Sequence, residues 1–202
     1  NEMSNLLEEN QIGEIGTVCG RYYAMDRDNK WDRTQKYYDL VMRGSGFKVL
    51  NINTAISNCY KKGITDEFLP PMLLTENTKI EDHDALLWLN FRPDRARQIL
   101  NALSDPEFKE FNIVPKVNFK VWNMFKQDDV QNVTSLYEID KQDLYPIGKY
   151  FSDLGLTQAR IAETEKYSHV TYFFNSELAK KFPGCDNYLV NSPKVATYDQ
   201  TP

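Results

Sequence analysis

Four arginines stand where an anion clamp would need them. Arg21 and Arg27 flank the loop that follows IGTVCG (15–20), and Arg92 and Arg95 open the segment that follows ALLWLNF (85–91). Each pair sits just past a predicted strand, and ligands of open α/β sheets bind outside the carboxyl ends of strands. The second pair also falls in the opening turn of a predicted helix, whose free N–H groups and partial positive charge favour anions. Arginine's planar fork grips carboxylate and phosphate oxygens two at a time. Two such loops could hold a small, multiply charged anion. The same residues also fit ordinary surface ion pairs, because Asp26-Arg27-Asp28 and Asp94-Arg95 place acids beside them, and exposed pairs are common and energetically slight. Spacing leaves both readings open.

Other candidates carry less. Lys166, in ETEKY, reads from its surroundings as a solvated lysine at a charged helix end, paired with Glu163. His169 borders an aromatic run and reads as a structural histidine, while His83, in EDHD, reads as solvated. A two-metal phosphotransfer centre needs clustered carboxylates and histidines. The chain has only these two histidines, far apart and in unlike contexts, so neither a catalytic residue nor a metal ligand is assigned within it.

The elements that must position the arginines alternate along the chain. A helix end is expected before Gly13, a buried strand at 15–20, and a polar, aromatic loop at 20–31. A helix follows over about 31–42, stopped by Gly44 and Gly46, then another over 52–62, stopped by Gly63. Phe68 to Leu74 reads as an edge strand on account of Pro70 and Pro71. ALLWLNF is continuously apolar, as expected of a strand buried on both faces, and RPDRARQILNAL (92–103) is an amphipathic helix. A strand is expected over 119–125, a short helix over 145–154, and a helix followed by an aromatic strand over 160–175. Strands alternating with helices predict an α/β fold, mainly a parallel sheet flanked by helices. Gly155 is the expected domain junction.

Bulk properties narrow the class. With 24 basic against 29 acidic residues the net charge is −5, which argues against a nucleic-acid or anionic-membrane surface. No apolar run approaches the roughly 18 residues of a membrane span. Cys19, Cys59 and Cys185 have no paired spacing, so free thiols in a reducing, cytoplasmic setting are expected. Both ends have the look of a cut, so a piece of a longer protein is expected.

Four ordered blocks carry a family resemblance: GRYYAMDRDNKWDR (20–33), NFRPDRARQI (90–99), AETEKYSHVTYFFN (162–175) and SPKVATYD (192–199). Together they resemble the cofactor-independent (2,3-bisphosphoglycerate-independent) phosphoglycerate mutases, of the alkaline-phosphatase superfamily. The resemblance implies an isomerase of glycolysis and gluconeogenesis that interconverts 3- and 2-phosphoglycerate through a phosphoserine. It implies that Arg21, Arg27, Arg92 and Arg95 hold the substrate's charged groups and that Lys166 reaches the active site from the catalytic domain. Residues 1–154 would be the inserted substrate-binding domain, and 155–202 the linker and re-entry into the catalytic domain. Two Mn2+ ions would be held by residues outside this chain, as would the serine, and the chain alone would be inactive. A small-molecule substrate and a monomer are expected. The segment 118–139 lacks the family's MTxYD-like run and the apolar-proline stretch after it, so packing near the junction is expected to differ. Another phosphomutase or phosphatase of the superfamily, or a non-catalytic anion-binding domain, are the competing readings.

Overall fold

The structure, a computed structural model, describes all residues except 1, 76–77, 116, 128, 139–143, 177, 179, 194 and 196–202. It divides into two compact units, Asn1–Ile139 and Asp140–Pro202. The expected fourth sequence block, 192–199, lies mostly outside the described residues.

In the first unit the core forms where two helices meet a parallel sheet. Helix α3 (Trp31–Arg43) ends at Gly44, whose φ of 65° is the left-handed conformation that glycine adopts without a Cβ penalty. Helix α5 (Pro93–Ser104) starts at Pro93, whose fixed φ suits a first helical position. Its residues Ala96, Ile99, Leu100 and Leu103, three or four apart, share one buried face. They pack with Tyr38 and Met42 of α3, Trp88 of β4 (Ala85–Trp88) and Val121 of β5 (Lys120–Phe125). Each fully buried aliphatic side chain there contributes about 1.5–3 kcal/mol. Strands β4, β5 and β6 (Thr134–Tyr137) lie in that order, all parallel.

A second small sheet holds the segment before the first arginine pair. Its order is β1 (Thr17–Val18), β3 (Met72–Leu73), β2 (Phe47–Lys48), with β1 antiparallel and β2 parallel to β3. Helix α1 (Glu2–Asn10) precedes it, and α4 (Ile52–Lys61), capped by the Asn51 side chain on the Thr54 N–H, follows β2. The second unit pairs β7 (Gln158–Glu163) with β8 (Cys185–Val190) in parallel. Helix α7 (Thr164–Val170) and a 3-10 turn, Phe173–Asn175, connect them.

Several expectations change. The strand at 85–91 is not buried on both faces. β4 spans only 85–88 at the edge of its sheet, and Leu87, Leu89 and Phe91 are exposed. Residues 68–74 do not make an edge strand: a 3-10 turn (Asp66–Phe68) is followed by β3, the buried middle strand. Pro70 and Pro71 fall just ahead of its ladder, so they remove no needed donor. The strand at 15–20 shrinks to two half-buried residues, and within the loop at 20–31 residues Arg21–Ala24 form a helical turn, α2. Over 160–175 the order is reversed, strand first and helix second, because 158–163 pair residue for residue with 185–190. The aromatic run closes as a 3-10 turn around buried Asn175, whose amide donates to the Lys180 carbonyl at 2.9 Å.

Along the chain the boundary between the two units falls at 139/140, ahead of Gly155. Helix α6 (Ile147–Asp153) goes with the second unit. Gln158 Nε2 donates to the Gly148 carbonyl at 2.8 Å. A Cβ on Gly148 would run into the guanidinium of buried Arg160.

Candidate functional site

Loop and helix meet through a buried carboxylate. Asp26 accepts from the backbone N–H of Asp28 (3.0 Å) and of Lys30 (2.9 Å), which folds the 26–30 loop about its own side chain. It also accepts from Gln98 Nε2 at 3.0 Å and from Arg33 at 3.4 Å. Gln98, buried on α5, reaches back to the same loop, its Oε1 taking the Asn29 N–H at 3.0 Å and its amide also bonding Thr34. Arg33 lies over the Tyr22 ring at 3.9 Å, tying α3 to α2. The loop that carries Arg27 is thereby fixed to the helix that carries Arg95.

The four arginines gather around that junction. Arg27 Nη1 donates to Asp94 Oδ2 at 2.9 Å, with both side chains nearly buried. Arg92 grips the same carboxylate along one edge of its fork, Nε to Oδ1 at 2.7 Å and Nη2 to Oδ2 at 3.1 Å. Arg95 turns its Nη1 to the Met25 carbonyl at 2.9 Å. Burial lowers the pKa of Arg95 first, and the nearby positive charges of Arg27, Arg92 and Arg21 lower it further. Arg21 is exposed and pairs with Glu67 at 2.9 Å. That contact exists because the 66–69 turn lies against Gly20, where a Cβ would collide with the Glu67 carbonyl. The ion-pair reading and the cluster reading therefore both describe part of the arrangement: acids sit between the arginines, and the arginines still share one locality.

Lys166 lies in the second unit. It is exposed and pairs with Glu165 at 3.2 Å, not with Glu163. His169, in the last turn of α7, faces the Phe173 ring at 5.3 Å, and His83 is exposed with φ at 70°. Among the described residues no group of three or more His, Cys, Asp or Glu side chains could hold a metal.

Sequence reasoning missed Gln98 and Glu67. Gln98 stands one turn after Arg95, so i, i+3 spacing on the helix was the available signal. Glu67 comes from 46 residues beyond Arg21, and no local pattern points to it.

Known proteins resemble this chain in both sequence and fold. Residues 1–137 match the family model described as the N-terminus of BPG-independent PGAM. A 2,3-bisphosphoglycerate-independent phosphoglycerate mutase of Clostridium perfringens (strain SM101 / Type A) is 42% identical over 206 residues, covering 100% of this chain and 40% of that protein. Its counterpart in a Picosynechococcus species is 44% identical over 194 residues, covering 95% and 36%. A crystal structure of Leishmania mexicana phosphoglycerate mutase at low cobalt concentration matches with a TM-score of 0.77 and 26% identity, over 96% of this chain and 38% of that one. The chain spans about 40% of the length of the Clostridium relative. On the family match and these identities, the chain belongs to the 2,3-bisphosphoglycerate-independent phosphoglycerate mutase family.

Proposed function

We propose that this chain is the substrate-gripping part of an enzyme that interconverts 3-phosphoglycerate and 2-phosphoglycerate in glycolysis and gluconeogenesis. Arg21, Arg27, Arg92 and Arg95 hold the carboxylate and phosphate of the three-carbon acid. The observation that carries this reading is the meeting of Arg27 and Arg92 on one carboxylate, with Arg95 and Arg21 close enough for their charges to interact.

Phosphoryl transfer depends on positioning and on stabilising charge. A serine outside this chain takes the phosphoryl group and returns it to the other hydroxyl. The arginines balance the charge that develops on the transferring group. They also keep the glycerate in place, so that water does not intercept the phosphoserine. Lys166 approaches the substrate from the catalytic domain. The residues up to about 154 form the inserted substrate-binding domain, within which the arginine-bearing unit falls, and the remainder re-enters the catalytic domain. The two manganese ions that the resemblance implies do not fit the described residues, which offer no ligand group, and no step here runs through them. The protein acts as a cytoplasmic monomer without nucleic-acid or membrane partners. In support, the net charge is −5, the three cysteines are unpaired, and no helix among the described residues is long and apolar enough to cross a membrane.

Steady-state kinetics of Arg92→Ala in the complete protein test the reading. Loss of one charge-stabilising group should cost about 2–4 kcal/mol of transition-state stabilisation. Activity within about a factor of two of wild type would remove Arg92 from the site.

A further inference from the structure

Asp94 is more than one half of a surface ion pair. One carboxylate receives three N–H bonds from two arginines, at 2.7, 2.9 and 3.1 Å. Its side chain is only 13% exposed, and that of Arg27 only 11%. Surface pairs between long side chains are held loosely and contribute little. This one is mostly out of water and bridges two chain segments 67 residues apart.

We propose that Asp94 is the positioning residue of the anion site. It holds the guanidinium groups of Arg27 and Arg92 at fixed angles, so that the edge of Arg92 it leaves open is aimed before an anion arrives. The proposal rests on the reading of the arginines as the substrate clamp.

Three observations carry it. First, the cluster is crowded with like charge, since Arg27, Arg92 and Arg21 all act on Arg95. Without a counter-charge among them these side chains would swing apart toward solvent. Second, the grip on Arg92 is selective. Asp94 takes Nε and Nη2, one edge of the fork, while Nη1 makes no bond to protein among the described residues. Arg92 is also 44% exposed against 11% for Arg27, so the edge that Asp94 leaves open belongs to the more accessible of the two side chains it holds. Third, Asp94 lies in the first turn of α5. There the helix itself favours a carboxylate, and Pro93 with Arg92 fixes where that turn begins. Arg92 and its anchor are two residues apart at that turn, so their geometry cannot drift independently.

A pre-aimed arginine loses less conformational freedom when it binds. Removing the anchor should therefore weaken binding more than it slows the chemical step. Asp94→Asn keeps the shape and removes the charge. In the complete enzyme we expect KM for 3-phosphoglycerate to rise about tenfold and kcat to change by less than about threefold. The melting temperature should stay within a few degrees. Because Asp94 acts through Arg92, its effect on KM should shrink in an Arg92→Lys background, a coupling that a merely structural role would not produce. Should Asp94→Asn fold poorly, Asp94→Glu retains the charge and is expected to show a smaller loss of the same sign.

Calorimetric titration with inorganic phosphate separates the proposal from the reading it rests on. If wild type does not turn over phosphoglycerate but Asp94→Asn still weakens phosphate binding, the mutase reading falls and the role of Asp94 stands. Unchanged KM and phosphate affinity, or tighter binding of either anion, would overturn the proposal. Tighter binding would mean that Asp94 competes with the ligand for the forks.

Discussion

At the scale of single residues, the site is a problem of placing positive charge without letting it disperse. Asp94 answers part of it, and its protonation shows how. Burial raises its pKa. The hydrogen bonds from Arg92 and Arg27, with their charges, outweigh that effect and leave it below the ordinary carboxylate value. A carboxylate depressed in the folded state stabilises the fold above its unfolded pKa, about 3.9. It loses that contribution as pH falls through the lower folded value. The stability difference between wild type and Asp94→Asn, followed by urea unfolding, should therefore be largest near neutral pH and shrink below about pH 4. A gap that stays constant down to pH 2 would show that the carboxylate's charge does not matter to the fold. The sequence made Asp94 visible only as a neighbour of Arg95, an acid beside a base. That it serves Arg27, from a distant loop, is a tertiary fact that adjacency could not supply.

At the scale of elements, the loop at 25–30 and helix α5 act as one piece, and Gln98 joins them. Its amide satisfies the Asn29 N–H, Asp26 and Thr34 together. Replacing it with leucine keeps the bulk but leaves a backbone donor and part of a buried carboxylate without their partners. Gln98→Leu should cost about 1–3 kcal/mol, read as a lower midpoint in urea. KM should rise as well, because the Arg27 loop is no longer tied to the helix of Arg92 and Arg95. Lost stability with unchanged KM would separate the loop from the site. Helix α5 was fully legible in the sequence, since Pro93 marks its start and its apolar residues recur every three or four positions. The short strands were not. β1, β2 and β3 span two residues each, too few for an alternating pattern to register. β6 is mostly exposed, so it lacks the apolar face that would have marked it. The apolar run at 85–91 read as a doubly buried strand because burial was inferred from composition alone. The order of elements over 160–175 was inverted for a related reason. The partner that makes 158–163 a strand lies at 185–190, so nothing within the segment marks where that strand ends and the helix at 164–170 begins.

At the scale of the whole molecule, the proposed function separates substrate binding from catalysis. All four arginines belong to the unit Asn1–Ile139, and their mutual arrangement is internal to it. A two-metal phosphotransfer centre, by contrast, draws on a set of carboxylates and histidines. This chain has two histidines in all. His83 lies exposed in the first unit, and His169 sits against Phe173 in the second. Neither belongs to a group of three or more potential ligands among the described residues. Binding without turnover is the expected behaviour of these 202 residues by themselves. Titrating the chain with 3-phosphoglycerate should give measurable heat that disappears in Arg92→Ala. A coupled assay for 2-phosphoglycerate with added Mn2+ should give no rate above background. Turnover comparable to that of the longer relatives would mean that the chain assembles a phosphotransfer centre from residues not credited with one. Absence of any heat, in a chain that melts cooperatively, would mean that the arginines need the rest of the protein to form their site.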